Sequence, residues 1–554
     1  MKKILMLLFV ATPLLVSAQY KSQVWCPDNG NGTYTNPVLN ADYSDPDICV
    51  VGDDYYLTAS SFNCVPGLPV LHSKDLVNWE IIGYALQSLY GGDKGMEQHF
   101  KTPRHGEGVW APSLRYHNGE FYIYWGDPDY GIYMVKTKDP AGRWDDPVLV
   151  VPGKGLIDSC PLWDDDGRCY LVNAYAASRK HINSVLMVRE LSSDGTRAIG
   201  NPVMVFDGNQ NGNYTSEGPK FYKYNGYYYI MWPAGGVELG WQMAARSKNV
   251  FGPYEYRTVM AKGNTNINGP HQGGWVHTPF GEDWFMNFQD KGCYGRVVHL
   301  NPMKWVDGWP VIGIDKDGDG CGEPVAKYTK PKSSVNTIMN PVESDEFDSF
   351  ALGKQWAWHA NYDEEWGMTT PDGFMRIFNY ARTEGNEHSL WTVPNLLLQK
   401  TPADVFTATA KVRVASKAEG QWAGLLMMGL DYSGLVVKRV GEGFELQRVY
   451  CKNADRGGKE SFTTITALAP TSRDKVQYKA AIYEDIYLRM VVKAGGKVTF
   501  FYSPDGKKYT KCGDEFQMRE GKWIGGKMGF VSIEPDVKTD RGWIDIDWFR
   551  VTLK

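Results

Sequence analysis

Cysteine is scarce, with nine residues scattered through a chain of 554. An odd number spread so thinly is no disulfide framework for a protein of this size. Most of these thiols are expected to be buried as small apolar side chains. Charge of one sign is also lacking. The 59 Lys and Arg nearly balance 64 Asp and Glu, for a formal net charge of −5. There is no basic stripe, which excludes a nucleic-acid partner, and no long acidic run. No apolar run reaches membrane-spanning length. The candidate at the start, "ILMLLFVATPLLV", follows Lys2 and Lys3 and leads into Ser17, Ala18 and Gln19. It is too short to cross a bilayer and reads as an export signal over residues 1–18, cut before Gln19. The nearest cysteine to that cut is Cys26, which argues against a lipid anchor. The expectation is a soluble exported protein without a membrane anchor, periplasmic first and secreted second. The length exceeds one ordinary core and calls for two or more domains.

Aromatic residues are plentiful, at 14% of the chain with 20 Trp and 33 Tyr. They suit β-rich cores, and they also suit sugar binding, where flat rings stack on pyranose and furanose faces. Tight turns followed by aromatic strands recur: "GDDYYLTASS" from Gly52, "NGEFYIYWG" from Asn118, "DGRCYLVNAY" from Asp166, "NGYYYIMWPAGG" from Asn225 and "GEDWFMNFQD" from Gly281. Such turns between apolar runs are hairpin signals. Their spacings of 66, 48, 59 and 56 residues fit one small antiparallel sheet per repeat. Five such sheets make a five-bladed β-propeller the simplest fold.

Stepping back seven or eight residues from each turn gives Asp45, Trp110, Asp158, Glu217 and Gly273. These are equivalent blade positions, where innermost strands face the axis. Asp45, Asp158 and Glu217 are therefore expected to meet in one pocket. Clustered carboxylates drive their pKa values apart, so that one holds its proton while another stays charged. That split is what a general acid and a general base need. With Trp110 and Phe62 near by for stacking, the pattern points to glycoside hydrolysis.

"NPVLNADYSDPDI", "VWAPSLRYHNGEFYIYW", "GLIDSCPLWDDDG", "TSEGPKFYKYNGYYYI" and "YGRVVHLNPMKW", in that order, resemble glycoside hydrolase family 43. "SDEFDSFALGKQW" and "WIDIDWFRV" resemble the β-sandwich that follows the propeller in its β-xylosidase-like members. The resemblance implies a single-displacement, inverting mechanism. It assigns Asp45 as general base, Glu217 as general acid, and Asp158 as the group that raises and orients the acid. Arg296, in "YGR", would reach the sugar hydroxyls. Asp42 and Asp47 lie off the matched position and read as loop or capping residues. His271 corresponds to a histidine that related enzymes place beside a central cation or water cluster, which makes it the metal-ligand candidate, with a structural histidine as the alternative.

One stretch departs from the family. Where related β-xylosidases resemble "AEGGT", this chain has Pro233 to Val237, so Ala234 and Val237 replace two polar groups expected to touch substrate. That loss points to a different sugar, α-L-arabinofuranose. "DKDGDGCGE" from Asp315 begins like a calcium loop, but its twelfth position is Ala326 rather than Glu, and a solvated turn is expected. No cofactor is required, and a structural calcium ion is the one the sequence leaves open. The polar stretch Lys327 to Asn336 reads as a linker. Beyond it, strands joined by Gly and Asp-Gly turns point to a jelly-roll sandwich that walls the pocket. The resulting expectation is all-β: a propeller over residues 19–330 and a β-sandwich over 340–554. The expected activity is exo-acting and inverting, releasing terminal α-L-arabinofuranosyl residues from side chains of xyloglucan or arabinoxylan. The runner-up is an exo-1,4-β-xylosidase on xylo-oligosaccharides, and the rival of another class a non-catalytic sugar-binding propeller.

Overall fold

Each of the recurring turns folds its two flanking runs into an antiparallel hairpin. Asn118–Gly119 and Asn225–Gly226 both take positive φ at both residues, the geometry that matches a hairpin to the twist of its strands. The computed structural model describes residues 19–90, 104–382, 388–473, 480–535 and 540–554. The export signal read over residues 1–18 lies outside the described residues.

Five antiparallel sheets of four strands follow one another along the chain. Blade one comprises Asp47–Val51, Asp54–Thr58, Gly67–Ser73 and Glu80–Leu86. Blades two to five open with Ser113–His117, Leu156–Trp163, Lys220–Tyr224 and His271–His277. The expected five-bladed propeller is therefore present. Strand alternation explains how the blades cohere. In Glu120–Asp127, Phe121, Ile123 and Trp125 pack toward blade one, while Tyr122 and Tyr124 pack toward blade three. A separate apolar cluster fills each of the five blade junctions. The last of these is completed by Tyr34, Val38, Leu39 and Tyr43, from the segment before blade one.

That segment also closes the ring. Leu39 exchanges two backbone hydrogen bonds with Val298 of blade five, at 3.3 and 3.0 Å. Thr33–Thr35 pairs with Lys327–Thr329. The first three residues of the stretch read as a linker thus form a closing strand, too short and polar to announce itself. Among the described residues the only α-helix is the single turn Ala177–Lys180.

The second half is the expected jelly-roll β-sandwich. One sheet has eight strands and the other nine among the described residues. Large apolar side chains such as Trp356, Phe530 and Phe549 fill the space between them. The sandwich docks directly onto the propeller. Val65 and Trp358 exchange backbone hydrogen bonds of 3.0 and 2.7 Å. The Leu89 N–H donates to Asn361 Oδ1 at 2.6 Å, and Lys291 Nζ meets Asp404 Oδ1 at 2.6 Å.

Candidate active site

Asp45, Asp158 and Glu217 line one cavity of about 280 Å³ at the inner ends of the blades. Irregular backbone places them there. Asp45 precedes the first strand of blade one with φ of 55°. Asp158 has φ of 56° and lies where the pairing of Leu156–Trp163 slips between Ile157 and Cys160. A bulge of this kind turns a side chain out of the regular alternation. Gln272 occupies the corresponding slip in blade five, with φ of 35°. Left-handed conformations at non-glycine residues cost free energy and persist where the surroundings enforce them.

The three carboxylates differ sharply in their partners. Asp45 Oδ2 accepts from the hydroxyls of Ser44 at 2.7 Å and Ser60 at 2.6 Å. Its Oδ1 lies 3.4 Å from Arg296 Nη1, and the same nitrogen donates to Ser44 Oγ at 2.7 Å. Asp158 Oδ2 accepts the Gly218 N–H at 2.8 Å. Gly218 has φ of 63°, and a Cβ there would meet Gln272 Cγ at 2.6 Å, so glycine is required for this approach.

Among the described residues Glu217 Oε1 has only His271 Nε2 within salt-bridge range, at 3.4 Å, and its side chain keeps 28% exposure. It sits at the wall of a deep pocket, enclosed by protein without being sealed from water. Burial, then the charges of Asp158 and Asp45, push the Glu217 carboxyl up to about 8, against the pull of Arg296. Burial and the Asp45 charge push Asp158 up to about 7, opposed by the Gly218 N–H, Lys220 and Arg296. The site therefore holds an anchored carboxylate facing a carboxyl that keeps its proton through neutral pH.

Every other residue expected at the site also lines the cavity: Arg296, Trp110, Phe62 and His271. His271 is buried at 1% exposure, and neither ring nitrogen has a hydrogen-bond partner. Burial and the nearby Arg296 hold its imidazole down at about 3, so it stays neutral. A ring nitrogen without a partner among the described residues suits a water or a single bond to a hydrated cation. Among the described residues, the one group of three clustered metal-ligating side chains is Asp315, Asp317 and Asp319 on a turn after blade five, and none of them lines the pocket.

Two readings need correction. Ala234 does not line the pocket; it is fully buried in the junction of blades three and four, and only Val237 of that departing pair reaches the cavity. Asp42 is the loop and capping residue expected, though buried, whereas Asp47 opens the first strand of blade one instead of lying in a loop. Asp47 is fully buried and accepts from the Leu114 N–H and the Arg115 guanidinium at 2.8 and 2.7 Å, joining blade one to blade two. Asp42 accepts the Arg296 N–H at 2.9 Å. Sequence reasoning also missed Thr215, Gln272 and Trp523, all of which line the pocket. Trp523 comes from the sandwich and meets Trp110 edge to face at 6.2 Å between ring centres.

The same chain matches the model of glycosyl hydrolases family 43 over residues 34–310. It matches the β-xylosidase C-terminal concanavalin A-like domain over residues 344–552. This protein belongs to glycoside hydrolase family 43. It is similar to a putative β-xylosidase of Xylanibacter ruminicola, 35% identical over 91% of this chain and 87% of the relative. It is 32% identical to a β-xylosidase of Formosa agariphila, over 97% of this chain and 93% of the relative. A non-reducing end α-L-arabinofuranosidase of Bacteroides ovatus is also 32% identical, over 74% of this chain and 77% of the relative. The family 43 protein described here is accordingly a glycosidase.

Proposed function

We propose that this family 43 glycosidase is exo-acting and inverting, and that it releases terminal β-D-xylosyl residues from xylan-derived chains. The observation that carries the reading is the convergence of three carboxylates in one pocket with opposite proton demands. Asp45, tied by two hydroxyls and beside Arg296, takes the proton of an attacking water. Glu217, raised by burial and by Asp158, gives its proton to the leaving oxygen. As the water oxygen bonds to the anomeric carbon, the bond to the leaving oxygen breaks, and both protons are accounted for in one displacement. Asp158 acts through Glu217: its charge raises the acid, and its grip on the Gly218 N–H fixes the backbone next to it. Trp110, Phe62 and Trp523 supply ring faces and edges for the sugar, and Arg296 serves both the base and the sugar hydroxyls. His271, neutral, would hold a water or a hydrated cation at the pocket wall, and a cation there would supply positive field.

The second reading is release of α-L-arabinofuranosyl residues, and Val237 is the observation that favours it. An apolar wall stands where a polar contact to xylose was expected. Ala234 lends it nothing, being outside the pocket, and the two relatives covered most fully are named β-xylosidases. Side-by-side assay on nitrophenyl xyloside and nitrophenyl arabinofuranoside tests the choice. The first reading expects xyloside to be preferred, and a clear preference for arabinofuranoside would replace it with the second. Export to the periplasm is part of the proposal, resting on the signal pattern of residues 1–18. Recovery of periplasmic protein starting at Gln19 would support it, and full-length protein confined to the cytoplasm would contradict it.

A further inference from the structure

A second cavity opens from the catalytic pocket and runs between propeller and sandwich. It measures about 590 Å³ and shares Val237, Arg296 and Trp523 with the pocket. Among the described residues four carboxylates line it: Glu238 and Asp290 from the propeller, Asp455 and Glu520 from the sandwich. The lining cations among the described residues are Arg296 and Lys522. Arg296 is committed to Asp45 and Ser44. Two more arginines flank the cleft without lining it. Arg519 stands 3.7 Å from Glu520 but bonds Asp431 at 2.9 Å, and Arg456, 81% exposed, stands 3.7 Å from Asp455. The lining therefore carries an excess of negative charge. Asp290 feels it: after burial, the charges of Glu238 and Asp42 push its carboxyl up, against the Gly292 N–H and Arg296.

The position of this cleft fixes its role. Glu217 delivers its proton to the leaving oxygen, so whatever that oxygen belongs to must extend out of the pocket past Trp523 and Val237. We infer that the interdomain cleft receives the leaving group and selects it by charge, accepting neutral oligosaccharides and disfavouring those that carry a uronic acid. The inference rests on the proposed exo-glycosidase reading and adds the class of leaving group to it. Like charges held in a shared cleft repel through a medium less screening than bulk water. The residues responsible are contributed by both domains, so the sandwich sets specificity as well as walling the pocket.

The test uses a matched pair of substrates on the full protein. One is an oligosaccharide with a cleavable terminal pentose and a uronic acid on the leaving portion. The other is the same molecule with that carboxyl reduced to a primary alcohol. At low salt the wild-type ratio of kcat/KM should favour the reduced substrate roughly tenfold, the scale of one partly screened like-charge contact. The ratio should fall toward one in the double variant D455N/E520Q, and in the wild type as salt is raised. A wild-type ratio near one, or a tenfold ratio that survives the double substitution, would overturn the inference. Nitrophenyl pentosides, whose small leaving group carries no uronic acid, separate the two levels. Turnover there with equal use of the matched pair removes the charge selection alone, whereas no turnover there removes the glycosidase reading and the inference with it.

Discussion

At the scale of single residues, the two outer carboxylates of the triad are distinguished by what each must do with a proton. Glu217→Gln should abolish cleavage of natural oligosaccharides but leave measurable turnover of substrates with activated phenolate leaving groups, which need little protonation. Asp45→Asn should lose both. Each loss should be on the order of a hundredfold to ten-thousandfold, the usual contribution of one general acid or base. Azide should rescue Asp45→Asn better than Glu217→Gln, because a small anion replaces the activated water on the base side. Equal loss on both substrates with no rescue would contradict the assignment. The pH profile tests Asp158. Glu217 works only while protonated, so kcat/KM should fall as pH rises through its proton release, near 8 in the free protein. Asp158 is the second cause, after burial, of that high value. Removing its charge in Asp158→Asn lets the proton leave earlier, and the alkaline limb should move to lower pH. A limb that stays in place would show that burial and Asp45 set the acid without Asp158.

At the scale of elements, the blades are joined by apolar clusters and by a few buried polar bonds that the strands alone do not provide. Asp47 is such a bond. It lies at the start of blade one and holds both the Leu114 N–H and the Arg115 side chain of blade two. Asp47→Ala would leave Arg115 buried without its carboxylate, at a cost of about 3–5 kcal/mol. Denaturant unfolding should show that loss as a lowered midpoint, and an unchanged midpoint would mean that the cluster between blades carries the joint. Much of this level was legible beforehand. Turn residues and strand alternation are local signals, and counting back from each turn located Asp45, Asp158 and Glu217 because blades repeat in register. Positive φ at Gln272 and Thr215 leaves no mark in the residue type, so their place in the pocket was not legible. Asp47 was misread because an acidic residue before a strand looks the same whether it ends a loop or bonds a neighbouring blade. The strand Lys327–Thr329 was missed because its partner, Thr33–Thr35, lies at the other end of the propeller sequence.

At the scale of the whole molecule, the pocket belongs to both domains. Trp523 faces Trp110 across it, and no pattern within the sandwich sequence marks that tryptophan, since its place depends on how two separately folded units dock. Trp523→Ala should lower kcat/KM roughly tenfold, the scale of losing one aromatic contact from a ring that is half exposed in the free protein. The protein should remain folded by circular dichroism, and unaltered kinetics would show that the propeller alone completes the site. The central claim is that water attacks directly, with Asp45 as base and Glu217 as acid, and it is tested most directly by the first-formed anomer of the product. Proton NMR recorded during the opening minutes of β-xyloside hydrolysis should show α-xylose appearing first and equilibrating later; β-xylose appearing first would mean a covalent glycosyl-enzyme and would contradict the account.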